Sequence, residues 1–185
     1  AIVAEGFEAG GHNGFEESTT LVLIPMLREI INIPIIAAGG ISNGASFYSA
    51  LAMGAHGVQI GSLFAASEES SAHINFKNMI VGAGDGATQL SLKKLVPVRL
   101  IKNDFWLKVQ QAEMAGDSKE ELAELLGRGR AKLGMFEGNT KEGELEIGQV
   151  AATINKIRPA REIIDQLIDE YNEAGQRMSK MIIKK

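Results

Sequence analysis

The sequence predicts an α/β fold assembled from parallel strand-turn-helix units, and three observations carry that prediction. Three short apolar runs, Ile2-Val3-Ala4, Pro34–Ala38 and Gly57–Ile60, each break directly into a glycine-bearing turn. The stretches between the runs carry apolar residues at helical spacing. About twenty residues separate the start of the second run from that of the third, which suits a right-handed parallel crossover. Continuous apolar runs are what parallel strands covered on both faces require, and barrel enzymes place their reactive groups just past the C-terminal ends of such strands.

The first run opens into a turn holding Glu5, Gly6, Glu8, Gly10, Gly11, His12 and Gly14. Imidazole has the side-chain pKa nearest neutrality, so His12 is the candidate catalytic group; the competing reading is a glycine-rich turn with an incidental histidine. Glu16 to Thr20 start a helix that runs over Leu21 to Ile31 and ends near Asn32, with Pro25 tolerable only near its first turn. The second run closes at Gly39-Gly40, and Ser42 or Asn43 caps a helix with Phe47, Tyr48, Leu51 and Ala52 on one face. The third run closes at Gly61-Ser62. Backbone amides at such turns bind anions without a basic side chain, so Gly39, Gly40, Gly61 and Ser62 form a candidate phosphate site. The alternative is that these glycines only close tight connections.

The remaining residues read as helix and loop. A helical stretch over Leu95–Ala115 surrounds Phe105-Trp106-Leu107, and Ser118 with Glu121 forms a capping box for Glu120–Leu126. Pro159 is placed as the first residue of a last helix burying Ile163, Ile164, Leu167, Ile168 and Tyr171. The segment after about Gln176 reads as a frayed basic end. Arg128 and Arg130, in a loop, read as solvated charge rather than contacts to an anionic carrier or nucleotide. His56 precedes a strand and reads as structural; His73 follows the third strand and either lines the pocket or is simply hydrogen-bonded. Neither Glu5 nor Glu8 has metal-ligand spacing with a histidine, so no catalytic metal is expected.

Composition narrows the function classes. The 185 residues are 45% hydrophobic, enough for one domain with a real core. A net charge of −4, with no basic block before Lys184-Lys185, leaves no nucleic-acid footprint. The chain has no cysteine, which removes disulfides and thiolate chemistry and fits a reducing compartment. No apolar run reaches the roughly 18 residues of a membrane span, so the expectation is a soluble, cytoplasmic protein without a membrane partner. The sequence begins without methionine inside a strand, as a fragment would.

The segments AEGFEAGGHNG, PIIAAGGIS and GVQIGSLFAASEESSAH, in that order and spacing, resemble the nitronate monooxygenase (nitropropane dioxygenase) family. That family also includes the type II flavin-dependent enoyl-acyl carrier protein reductases. The resemblance continues through Ser91–Asn103 and Gly134–Gly138 to Gly143–Val150. It implies that the three strands are strands 6–8 of a TIM (β/α)8 barrel, with residues 1–90 forming the C-terminal part of an FMN-binding barrel and residues 91–185 a helical C-terminal region packed on it. Five strands are then missing, and three cannot close a barrel. The partner implied is the N-terminal half of the barrel, on the same or a separate chain; a homodimer is allowed.

The resemblance further implies FMN as cofactor, its phosphate on Gly39, Gly40, Gly61 and Ser62, with Glu5, Gly6, Gly10 and Gly11 completing the cofactor-binding set and His12 catalytic. The leading expectation is an enoyl-acyl carrier protein reductase drawing hydride from NAD(P)H, its substrate carried on acyl carrier protein. The alternatives are a nitronate monooxygenase acting on small alkyl nitronates with oxygen, and a half-barrel fragment or partner subunit inactive alone. The runs AAGGI and ALAMGAHGVQIGS also look like the oxidoreductases of inosine and guanosine monophosphates, but those use a cysteine nucleophile and this chain has none.

Overall fold

The computed structural model describes residues 1–181. In chain order the elements are β1 (Ile2–Glu5), β2 (Gly11–His12), α1 (Thr20–Ile30), β3 (Ile35–Ala38), α2 (Gly44–Ala52), β4 (Gly57–Gln59), α3 (Ser62–Ala65) and α4 (Ile74–Val81). There follow β5 (Thr88–Ser91), β6 (Val98–Ile101), α5 (Asp104–Ala115), α6 (Lys119–Leu126), α7 (Arg130–Met135), the 3-10 turn η1 (Gln149–Thr153) and α8 (Ala160–Ser179).

The three expected strands pair in parallel, in the order β1-β3-β4, with Ala4 opposite Ala37 and Ala38 opposite Gln59. Ile24 of α1 and Ala50 of α2 are buried in one cluster with Ile35 and Ala37, which fixes both crossover helices to this sheet. Asn43 caps α2, its side chain accepting from the Ser46 amide while the Ser46 hydroxyl sits near the Asn43 amide, a reciprocal box. Pro25 lies in the second turn of α1 rather than the first. Its missing N–H falls on the exposed side of the helix, beside the exposed Leu21, so no buried acceptor is orphaned.

This sheet is open. β1 and β4 each keep an unpaired edge among the described residues, and Val3, Leu21, Val22, Met26 and Ile30 are all more than half exposed along β1 and α1. The α/β class is therefore as expected, while barrel closure lies outside what these residues form.

A second sheet departs from the helical reading of residues 91–185. β6 pairs antiparallel with β2 on one side, His12 opposite Val98, and with β5 on the other, Leu90 opposite Arg99. All four β6 residues are buried. A buried run this short has no solvent-facing side to mark its period, so helix and strand cannot be told apart by pattern. The helix expected from Leu95 starts only at Asp104, where the Asn103 side chain accepts from the Trp106 amide. Leu92, Val98, Leu100, Phe105, Trp106, Val109 and Leu122 form the core beneath this sheet, and the Trp106 indole N–H donates to Ser91 Oγ at 3.1 Å. Ser118 and Glu121 form the capping box at the start of α6.

The last helix, α8, returns to the parallel sheet and docks on α2, with the Tyr171 ring 5.0 Å from that of Phe47 and 5.4 Å from that of Tyr48. Ile163 and Leu167 are buried, but Ile164 and Ile168 are about half exposed, so the buried stripe is narrower than the sequence suggested. Pro159 is the residue before the helix rather than its first member. Helical structure continues to Ser179, past the expected fraying at Gln176; Lys184 and Lys185 lie outside the described residues.

Candidate active site

The turn after β1 is held mainly by side chains from elsewhere. Arg99 of β6 is 2% exposed, and its Nε and Nη2 donate to the Phe7 carbonyl at 3.2 and 2.7 Å while Nε also reaches the Ala9 carbonyl at 3.1 Å. Its guanidinium carbon lies 4.4 Å from the centre of the Phe7 ring, a cation–π contact. Burial lowers the Arg99 pKa, and the charges of Glu8 and Glu17 oppose that. Asn13, also buried, donates to the carbonyls of Ala9 and Gly11 and closes the turn from within. His12, between Gly11 and Asn13, is fixed in β2.

The three turns at the C-terminal ends of the parallel strands meet around one cleft. Thr20, at the start of α1, ties two of them: the Glu8 carboxylate accepts from its amide at 3.0 Å, and its Oγ1 lies 2.9 Å from the Gly39 carbonyl. Gly39 and Gly40 take φ of +86° and +72°, and a Cβ on Gly39 would stand 2.7 Å from the Gly6 carbonyl oxygen, so only glycine fits there. Gly148, in the segment before η1, donates to Ser62 Oγ at 3.0 Å, and the Gln149 amide donates to the Glu8 carbonyl at 2.9 Å. These bonds close the far wall.

The resulting cleft, about 300 Å³, is lined by Glu5, Gly10, Gly39, Gly40, Gly61 and Ser62 of the expected set, joined by Gln59, Met135, Glu146 and Gly148. Among the described residues, no lysine or arginine lines it. A Cβ built on Gly61 would meet nothing within 4 Å, so that glycine faces open space. Gly6 and Gly11 are placed differently: a Cβ on Gly6 would strike Thr20 Oγ1 at 2.1 Å, and one on Gly11 would lie 2.6 Å from Glu146 Oε2. Gly10 lines the cleft but is also pressed against the backbone of Ile147, 2.2 Å from where its Cβ would be.

His12 lines a neighbouring pocket of about 260 Å³ with Leu92, Leu95, Val98, Arg130, Glu144 and Glu146. Glu146 borders both cavities. Burial raises the Glu146 carboxyl, and the charge of His12 opposes it; burial and the Glu146 charge push Glu144 up to about 7, with Arg130 opposing. Arg130 is half-buried rather than solvated: its Nε donates to the Leu126 carbonyl at 2.7 Å, its Nη1 to Glu142 carbonyl at 2.9 Å, and it stacks over Phe105. Glu5, at the end of β1, also has its carboxyl raised by partial burial.

The remaining histidines serve the fold. His56 Nδ1 accepts from the Ile35 amide and His73 Nδ1 from the Asn75 amide at the start of α4. Among the described residues, no three His, Asp or Glu side chains converge as a metal would need. Sequence reasoning missed Arg99, Asn13, Glu144 and Glu146. The alternation Glu144-Leu145-Glu146-Ile147 did carry a signal, since Leu145 and Ile147 are buried while both carboxyls face the cavities.

Fold and cleft together define a class: an α/β chain with a ligand cleft walled by backbone at the C-terminal ends of parallel strands. Within that class, the chain belongs to the nitronate monooxygenase family, whose model matches residues 1–170, a family of FMN-dependent oxidoreductases. It is 31% identical over 192 residues to the probable nitronate monooxygenase of Staphylococcus aureus strain MSSA476, covering 95% of this chain and 52% of that protein. Among solved structures it is similar to FabK from Thermotoga maritima, with a TM-score of 0.91 and 36% identity over 98% of this chain and 57% of that one. It is also similar to the nitroalkane oxidase of Streptomyces ansochromogenes, with a TM-score of 0.77 and 29% identity over 96% and 53%. The chain spans about half the length of the relatives it matches.

Proposed function

We propose that this chain supplies the phosphate cradle and the substrate histidine of an FMN-dependent oxidoreductase, and that the reaction is oxidation of alkyl nitronates with oxygen. The observation that carries the cofactor is the cleft between Gly39-Gly40 and Gly61-Ser62. It has backbone on two sides, no basic side chain among the described residues, and open space at Gly61 where a side chain would otherwise stand. Such a cleft favours an anion held by amides. The carboxyls of Glu5, Glu8 and Glu146 line it as well, those of Glu5 and Glu146 raised by partial burial. The residues present therefore fit the phosphate end of FMN, with Gly39, Gly40, Gly61 and Ser62 as its holders.

FMN, when bound, supplies the two-electron chemistry. The chain's own part is binding and proton handling. His12 is exposed to the apolar-walled pocket beside the cradle, where it would take the α-proton of a nitroalkane or hold the nitronate by hydrogen bonding. The names of the Staphylococcus and Streptomyces relatives support this substrate class. A second reading, reduction of an enoyl thioester with NAD(P)H as reductant, is favoured by the match to Thermotoga FabK. There His12 would polarise the thioester carbonyl or protonate its α-carbon.

The unpaired edges of β1 and β4 and the exposed apolar residues of α1 support an N-terminal half-barrel as the partner that completes the sheet. The test uses that completed barrel. Gly61→Val should fill the open space and lower FMN occupancy, read from flavin absorbance per protein; full occupancy in the variant would overturn the cradle assignment. Mixing the wild-type holoenzyme with alkyl nitronate, and its reduced form with an enoyl thioester, then separates the two activities by which one changes the flavin spectrum.

A further inference from the structure

Glu146 borders both the cradle and the His12 pocket. Its position follows from backbone pairing. Glu146 bridges to Leu100 of β6 in antiparallel sense, and the adjacent Leu145 carbonyl accepts from Ile101 at 2.9 Å. β2 pairs with the preceding residues of the same strand, Val98 and Arg99. One strand thus aligns His12 and Glu146, and the carboxylate lies over Gly11, where a Cβ would stand only 2.6 Å from Oε2. Glycine at position 11 leaves the room the carboxylate takes.

Behind it stands Glu144, 8% exposed, lining the His12 pocket with no hydrogen-bond donor to its carboxyl among the described residues. The charged groups facing this pair are few. His12 from β2 faces Glu146, Arg130 from α7 faces Glu144, and Glu5 and Glu8 share the cradle, Glu8 being tied to Thr20. Arg99 of β6 is committed to the Phe7 and Ala9 carbonyls.

We infer that Glu146 is the positioning residue for His12, a carboxylate fixed where cradle and substrate pocket meet so that the imidazolium formed in turnover has its counter-charge alongside. The inference rests on the reading that His12 exchanges a proton with substrate. With a nitroalkane, the C–H bond at the α-carbon breaks, its electron pair moves onto the nitro group to give the nitronate, and the proton forms an N–H bond on the imidazole. Glu146 takes part in no bond change. It stabilises the cation that this step creates.

The test reads the charge on His12 directly, in completed barrel free of flavin and labelled with ¹³C-histidine. Glu146→Gln should lower the His12 titration midpoint by roughly one pH unit, as loss of an adjacent opposite charge does. Glu146→Asp should restore part of it, while His56 and His73, bonded to the Ile35 and Asn75 amides, stay unmoved. An unchanged His12 midpoint in Glu146→Gln overturns the inference. Should that variant not fold, the wild-type curve decides: His12 resonances must show a second inflection as the carboxyl takes up its proton, and a single step overturns it. In the loaded enzyme, the acid limb of the kcat/KM profile should move to lower pH with Glu146→Gln. Failure of the flavin reading would appear separately, as absent FMN uptake by the wild type.

Discussion

The two sheets carry the two halves of the candidate site, and they are built in opposite ways. The parallel sheet makes its cleft from backbone, at turns that each belong to one local strand-turn-helix unit: Gly39-Gly40 after β3, Gly61-Ser62 after β4. The antiparallel sheet makes its pocket from side chains far apart in sequence, with His12 and Glu146 aligned by β6 and Arg130 of α7 joined through its carbonyl to the Glu144 amide. A backbone site needs only the right local residues, whereas a side-chain site needs the long-range pairing to be correct. Changes in the second region should therefore cost more than equivalent changes in the first.

The largest effect should come from His12→Ala. The turn around it is held by Arg99 and Asn13 rather than by the imidazole, so fold and FMN should survive while turnover falls by roughly 10²–10⁴, as for loss of a general acid or base. Rapid-mixing measurement of flavin reduction by nitroalkane in the completed barrel checks it; a wild-type rate would make His12 purely structural.

Next is Arg99→Met, which leaves the Phe7 carbonyl without its side-chain donor beneath the turn, while the Ala9 carbonyl keeps Asn13. One unpaired buried carbonyl costs about 1–3 kcal/mol, so a loss of roughly 2 kcal/mol in unfolding free energy is expected by denaturant titration. A loss below about 1 kcal/mol would show that the turn is held within the parallel region alone.

Glu144 adds a pH dependence confined to the same pocket. Its folded pKa of about 7 lies above the ordinary 4.5, so the stability linked to its proton is present below pH 4.5 and lost as pH rises to about 7. Glu144→Gln should remove that slope and raise stability at pH 8 by about 2 kcal/mol, allowing for solvent at the pocket mouth. Urea midpoints at pH 5 and pH 8 in both proteins decide it.

The smallest effects compare two helix caps directly. Asn43 caps α2 with contacts to its own first turn, so Asn43→Ala should cost about 1 kcal/mol. Asn103 caps α5 but also donates to the carbonyls of Thr140 and Gly143 at 2.8 and 2.9 Å, so Asn103→Ala should cost roughly 2 kcal/mol. Equal losses by thermal unfolding would remove the contrast between local and long-range construction.

The sequence by itself determined the parallel units, their glycine turns, a cap at Ser42 or Asn43 and another at Ser118, and the placing of His12 just past a strand end. These follow from local rules: apolar runs long enough for a strand, φ above zero that only glycine accepts freely, and side-chain caps reaching three residues onward. Only the tertiary structure decided that Val98–Ile101 is a strand, that Arg99 is buried beneath the histidine turn, that Gly6 and Gly11 answer to Thr20 and Glu146, and that the carboxyls of Glu144 and Glu146 reach the His12 pocket. An arginine in an apolar run, or two glutamates alternating with leucine and isoleucine, has no local signature of its partners. Antiparallel pairing across more than eighty residues, as between His12 and Val98, selects them, and that choice is made by burial of the whole sheet rather than by any one segment.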